Sequence, residues 1–167
     1  TAGSVAVLPL LESAVGIQRV AEVAAAPRVL RLGLGEVDLA ADLGVGLDEE
    51  RTILNPLRLQ VVVASAAAGI SRPVAPTSTA FRDLDGFRRS AERLRQQGFR
   101  GRTAIHPGQI AVIHEVFTPS ADEVTAAHDL LARFEGAQEG GHVGNDGTFV
   151  DLAVVRNARE VLALAGE

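Results

Sequence analysis

Lysine is missing from this chain: all 16 basic side chains are arginine. A lysine Schiff base is therefore excluded as a way of activating a carbonyl. Cysteine is missing too, which excludes disulfides and thiolate metal sites. No apolar run approaches the roughly 20 residues that a membrane span requires. Thr1-Ala2-Gly3-Ser4 has neither the basic start nor the apolar core of a secretion signal. A soluble, cytoplasmic protein is the expectation. The net charge of −5 gives no basic face for nucleic acid. Methionine is absent as well, and the first apolar pattern, residues 5–11, begins almost at once. A buried strand with so little approach to it leads us to expect further chain upstream.

What is present is 167 residues, 47% of them hydrophobic, enough to bury one core. Short apolar runs alternate with amphipathic stretches. Strands are expected at 5–11, 28–33, 71–75 and 102–106. Helices are expected at 16–26, 56–68 and 83–97, the last closed by Gly98. Ser120-x-x-Glu123 is a capping box that opens a helix running to Phe134. A Gly-rich loop follows at 135–147, and a last helix at 152–165. Repeated strand–helix units imply parallel strands covered on both faces. Four units make half of a (β/α)8 barrel, since eight typically need about 250 residues. A doubly wound sheet is the competing fold. Gly33-x-Gly35-x-x-Asp38 puts an aspartate where a dinucleotide fingerprint has its third glycine.

In a barrel, chemistry gathers just past the C-terminal ends of the strands. That rule selects Glu12, Glu36, Asp38 and His106. A carboxylate directly after an apolar run is costly to leave unpaired. Two carboxylates on adjacent strands suit a hard cation such as Mg²⁺. Capping explains them equally well on local pattern, with Glu12 capping the following helix and Asp38 the next turn. His106, before Pro107, reads as a structural residue at the top of its strand. His114, His128 and His142 have no partner pattern. The run Arg88-Arg89-x-x-x-Arg93-x-Arg95, with Arg100 and Arg102, could attract phosphates, but Glu92 among them favours a solvated helix face.

Three longer segments carry a more specific pattern. They are Leu8-Pro9-Leu10-Leu11-Glu12-Ser13-Ala14-x-Gly16, then Gly35-Glu36-x-Asp38-Leu39-x-x-Asp42-Leu43-Gly44, then Gly98-Phe99-x-Gly101-Arg102-x-x-Ile105-His106-Pro107-x-Gln109-Ile110. The third runs on to Val116-Phe117-Thr118-Pro119-Ser120. Together they resemble the citrate lyase β-subunit family, within the wider HpcH/HpaI aldolase superfamily. The 26-residue step from Glu12 to Asp38 is similar to that between the family's two metal carboxylates.

The resemblance implies a TIM barrel of the phosphoenolpyruvate/pyruvate-binding type. Residues 1–118 would be its C-terminal part, and 119–167 a helical arm or lid. It also implies Mg²⁺ held by Glu12 and Asp38, with Gly35 and Glu36 beside them against the substrate. The implied activity is that of a carbon–carbon lyase acting on citryl-, malyl- or citramalyl-CoA through an enolate of a keto acid. Asp146-Gly147-Thr148-Phe149-Val150-Asp151-Leu152-Ala153 matches a family motif whose aspartate serves a neighbouring subunit as general acid/base. That role falls on Asp151, in a homo-oligomer (trimer or hexamer), although Phe149 replaces the usual Met and Ala153 the usual Pro. The third strand lacks the usual terminal Asp, and Thr77 and Ser78 stand there instead. The family's substrate-binding Arg lies on an earlier strand and is absent from this sequence. Two other readings remain: a metal-dependent aldolase of free hydroxy-keto acids, and a non-catalytic or truncated member.

Overall fold

The computed structural model describes residues 5–138 and 152–166. The chain divides into two compact units, Thr1–Phe117 and Thr118–Glu167. The first is an α/β unit, rich in helix, built on a small parallel sheet. β1 (Leu10–Leu11) pairs in parallel with β2 (Gly33–Leu34), Leu10 opposite Gly33 and Leu11 opposite Leu34. Single bridges extend the pattern: Val7 with Val29, Gly33 with Val74, and Ala75 with Arg102, all parallel. The four extended segments therefore lie side by side in chain order.

Regular strand is much shorter than the apolar runs suggested. Pro9 and Pro73 have no N–H to give to a ladder, and the ladder survives through their carbonyls. Gly33 N donates to Pro9 O at 2.8 Å, and Arg100 N to Pro73 O at 3.0 Å. The fourth segment pairs only through Arg102, and His106 stands beyond the pairing, in a bend.

In the first unit the helices follow the sequence with three departures. The expected helix 16–26 is two short ones, α1 (Ala14–Gln18) and α2 (Val20–Ala24), broken at Arg19. At the break, Gln60 Nε2 donates to the Ile17 carbonyl at 3.2 Å. A helix not foreseen, α3 (Glu36–Leu43), starts one residue after Gly35 and ends at Gly44, whose φ of 68° is the left-handed cap that glycine favours. A second, α6 (Gly108–Phe117), follows Pro107 directly and buries Gln109, Val112 and Val116 at helical spacing.

α4 (Asn55–Ala67) is entered by a 3-10 turn at Thr52–Leu54, and α5 (Leu84–Gln96) is capped by Asp83, whose side chain accepts from Gly86 N. Leu11, Leu32 and Leu34 pack with Ile17, Val20, Leu39 and Val61 in one apolar cluster. Phe87, Leu94, Phe99 and Val112 form a second. Leu10 on β1 and Leu8 just before it stay exposed, at 54% and 47%.

The second unit holds α7 (Ala121–Gln138) and α8 (Leu152–Ala165), packed against each other. The capping box forms as read: Glu123 N donates to Ser120 Oγ at 3.1 Å, and Ser120 N to Glu123 Oε2 at 2.8 Å. α7 continues past Phe134 into what the sequence suggested was loop. The remainder of that stretch, with His142 and Asp151, lies outside the described residues. Among the described residues no helix is long and apolar enough to cross a membrane.

Candidate metal and substrate site

Parallel pairing sets the first feature of the site. Beyond the Leu11–Leu34 pair, Gly35 N still donates to Leu11 O at 2.9 Å, so Glu12 emerges from β1 beside Gly35. The two are in intimate contact. A Cβ built on Gly35 would stand 2.3 Å from Glu12 Oε1 and 2.4 Å from its Cγ. Gly35 has φ −98°, which any residue tolerates, so glycine is needed here for space and not for conformation.

Gly35 is also the N-cap of α3, and Glu36 and Asp38 occupy that helix's first turn, where the helix dipole favours negative charge. The two have different fates. Glu36 is 2% exposed and doubly paired, by Arg58 Nε to Oε1 at 2.6 Å and by Arg51 NH1 to Oε2 at 2.9 Å. Both of its oxygens are thus engaged within the protein, where the sequence had put Glu36 against substrate. Asp38 is exposed. Further along α3, Asp42 Oδ2 accepts from Ala14 N at 2.7 Å and ties α3 to the start of α1.

The capping alternative can now be examined residue by residue. α1 is capped by Ser13, whose side chain accepts from Gly16 N at 3.2 Å, and not by Glu12. Asp38 lies within α3 and caps nothing. Among the described residues, neither Glu12 nor Asp38 has a hydrogen-bond or ion-pair partner. Among the same residues no group of three or more His, Cys, Asp or Glu converges on one point.

The Ile-His-Pro-x-Gln segment is structural, and its main actor is one that sequence reasoning passed over. Gln109, 0% exposed, accepts from Ile105 N at 3.0 Å and His106 N at 3.3 Å, and donates to Ser78 O at 3.1 Å. It clamps the end of the fourth segment to the loop after the third. His106 Nδ1 accepts from Gly108 N at 3.0 Å, and its ring stacks on Phe81 with centroids 5.1 Å apart. The signal was available: an amide at helical spacing from Val112 and Val116 has to be satisfied.

Three of the arginines in and after the run, Arg88, Arg93 and Arg102, are tied down. Arg88 pairs with Glu115, and Arg93 NH1 with Glu50 Oε1 at 2.9 Å. Arg102 donates to Pro76 O, Phe87 O and Ser90 Oγ, and its guanidinium lies 4.2 Å from the Phe87 ring centroid. Burial pushes its pKa down to about 10. It remains charged at neutral pH and borders a cavity of about 220 Å³ with Glu36, Arg58, Ser78 and Arg89.

Comparison with known proteins agrees with the sequence motifs. The pattern of the HpcH/HpaI aldolase/citrate lyase family matches residues 1–107. The (3S)-malyl-CoA thioesterase of Cereibacter sphaeroides is 35% identical over 158 residues, covering 93% of this chain and 55% of that protein. The L-malyl-CoA/beta-methylmalyl-CoA lyase of the same organism is 35% identical over 176 residues, with the same two coverages. The chain therefore spans about half the length of the curated relatives it matches. In structure it is similar to CitE from Mycobacterium tuberculosis in complex with magnesium, acetoacetate and coenzyme A. There the TM-score is 0.74 at 28% identity, over 97% of this chain and 61% of that one. A citrate lyase from Burkholderia xenovorans gives 0.82 at 28% identity, over 99% of this chain and 54% of that one. Matched in sequence over residues 1–107 and in fold over nearly its whole length, the chain belongs to the HpcH/HpaI aldolase/citrate lyase family.

Proposed function

We propose that the protein is a magnesium-dependent carbon–carbon lyase that cleaves or forms a 3-hydroxyacyl-CoA of the citryl-, malyl- or citramalyl-CoA type. One observation carries this reading. Of the four carboxylates around the ends of β1 and β2, Glu36 and Asp42 are consumed by protein partners, while Glu12 and Asp38 have none among the described residues. Two acidic side chains left without a protein partner on adjacent segments keep their oxygens free for an ion.

The donor set fits Mg²⁺, which is commonly held by one or two carboxylates and keeps water and substrate oxygens as its other ligands. Magnesium bound there supplies Lewis-acid polarisation of the keto-acid oxygens while the carbon–carbon bond breaks or forms. Glu12 and Asp38 hold the ion, and Gly35 leaves the room that the Glu12 carboxylate occupies. Asp151, carried by a neighbouring copy in a cytoplasmic homo-oligomer, moves the proton on the acyl-CoA side. The four parallel segments in chain order support part of a (β/α)8 barrel over a doubly wound sheet, whose strand order reverses.

The thioesterase relative at 35% identity supplies a rival outcome, hydrolysis of the thioester. Incubating the full-length protein and Mg²⁺ with malyl-, citramalyl- and citryl-CoA separates the two. The expected products are a keto acid and a shorter acyl-CoA, lost on chelation with EDTA and restored by Mg²⁺. Free coenzyme A with an intact hydroxy acid, or no turnover of any of the three, overturns the proposal.

Gly35→Ala tests the packing beneath Glu12. Its backbone angle suits alanine, so any fall in the thermal melt comes from displacing the Glu12 side chain, which has no partner among the described residues to lose. The Glu12 carboxylate must shift, and the Mg²⁺ concentration for half-maximal activity should rise about tenfold, as when a metal ligand loses its support. An unchanged Mg²⁺ dependence would remove Glu12 from the ion.

A further inference from the structure

We propose that Glu36 is a positioning residue for the metal site, acting through Asp38 and touching neither ion nor substrate. This rests on the reading of Glu12 and Asp38 as the metal carboxylates.

Glu36 opens α3, one residue after the glycine that packs on Glu12 and two before Asp38. Its two oxygens take two arginines from outside the helix, Arg58 on α4 and Arg51 in the loop before it. Arg58 is itself 6% exposed, and its NH1 donates to Asn55 Oδ1 at 2.8 Å. Asn55 Oδ1 accepts a second bond from Gln97 Nε2 at 3.1 Å, which carries the network to the end of α5. Arg51 has φ 53°, a left-handed conformation disfavoured for a residue with a Cβ. Its loop is braced by Asp48, which accepts from Thr52 N at 2.9 Å and Thr52 Oγ1 at 2.6 Å.

An eight-residue helix has little stability of its own. α3 is fixed at three points: Glu36 to the two arginines, Leu39 in the core at 0% exposure, and Asp42 to Ala14 N. Of these, Glu36 and Leu39 share the first turn with Asp38, and Glu36 alone holds that turn by directional hydrogen bonds to side chains outside the helix. Loosening it frees the direction in which Asp38 points, while Leu39 and Asp42 keep the helix in place. Arginine forks are well suited to this, because two bidentate-capable donors fix the carboxylate's orientation as well as its position.

The test uses Mn²⁺ as a paramagnetic substitute for Mg²⁺, its binding to the intact protein read from the free-ion EPR signal. Urea unfolding is measured on each variant. The pair Glu36→Met with Arg58→Met removes both buried charges together, so stability is largely kept. A positioning role predicts Mn²⁺ affinity about tenfold weaker even in this stable variant. A merely structural role predicts affinity that recovers with stability. An affinity within twofold of wild type in the folded double variant overturns the proposal. Arg51→Ala provides a second arm, since that side chain is partly exposed and its loss leaves the Arg58 bond intact. It should weaken Mn²⁺ binding severalfold, and no change would count equally against the proposal. Asp38→Asn distinguishes the metal site itself from its support. If it abolishes binding while the Glu36 and Arg51 variants bind normally, the positioning role alone fails. If wild type binds no Mn²⁺, or Asp38→Asn binds as wild type does, the metal reading fails and takes this one with it.

Discussion

Glu12→Gln is expected to lower kcat/KM for the acyl-CoA substrate by about a thousandfold while leaving the fold intact. Glutamine has the same shape, so it still fills the space above Gly35, and Glu12 has no partner among the described residues to lose. What disappears is one of two negative charges on the ion. Lewis-acid stabilisation of developing charge is worth several kcal/mol, and each 1.36 kcal/mol is a factor of ten, so about 4 kcal/mol gives the figure stated. Asp38→Asn should cost a similar factor. The double variant should be little worse than either single one, because two ligands of one ion act as a unit. Steady-state rates across a Mg²⁺ titration, with far-UV circular dichroism as the check on folding, measure all three. Full activity in Glu12→Gln at ordinary Mg²⁺ would exclude this carboxylate from the reaction. So would a proportional loss of helix in all three variants, since that would make the effect structural.

The position of those two carboxylates was legible because it follows from a rule of topology: strand ends collect chemistry, and neighbouring segments bring their ends together. The fate of the other carboxylates was not. Glu36 stands in the same motif as Asp38, and nothing local distinguishes a residue that stays exposed from one that turns inward. The distinguishing residue, Arg58, lies 22 positions away in sequence. Its own surroundings did hold a signal. Leu54, Arg58, Val61 and Ser65 fall on one face of the α4 region and all are buried. A charge inside such a stripe requires a buried partner of opposite sign.

The helices show the same division. The box at Ser120 and Glu123 is a local hydrogen-bond exchange and could be read directly. α3 and α6 were hidden because each begins just past a residue that interrupts regular structure, Gly35 and Pro107 respectively. Glycine and proline mark a boundary, and sequence alone did not say that a helix starts on its far side. Strand length misled in the other direction. The apolar runs record which side chains are covered, while the hydrogen-bonded ladder is limited by prolines at positions 9 and 73.

The largest expected loss of stability comes from Arg58→Ala, at about 3 kcal/mol by urea denaturation. Removing one partner of a buried pair commonly costs about 3–5 kcal/mol, because the other charge is left without compensation. Glu36 has 1% of its side chain exposed, so water cannot replace the lost guanidinium. The lower end of the range applies because Arg51 still holds Oε2 at 2.9 Å. Arg58→Ala also strands the Asn55 carbonyl oxygen with only its bond from Gln97. Two comparisons isolate the cause. Adding Glu36→Met to Arg58→Met should recover most of the loss, since the one charge then left without its partner, Arg51, is partly exposed to water. Arg19→Ala, which breaks the 2.7 Å pair with Glu22 on the exposed face of α2, should leave the urea midpoint where it was. A loss below about 1 kcal/mol for Arg58→Ala would place that pair with the surface bridges, in the range their removal typically costs. Glu36 would then be mobile enough to face solvent, and the turn that carries Asp38 would lack the anchor assigned to it.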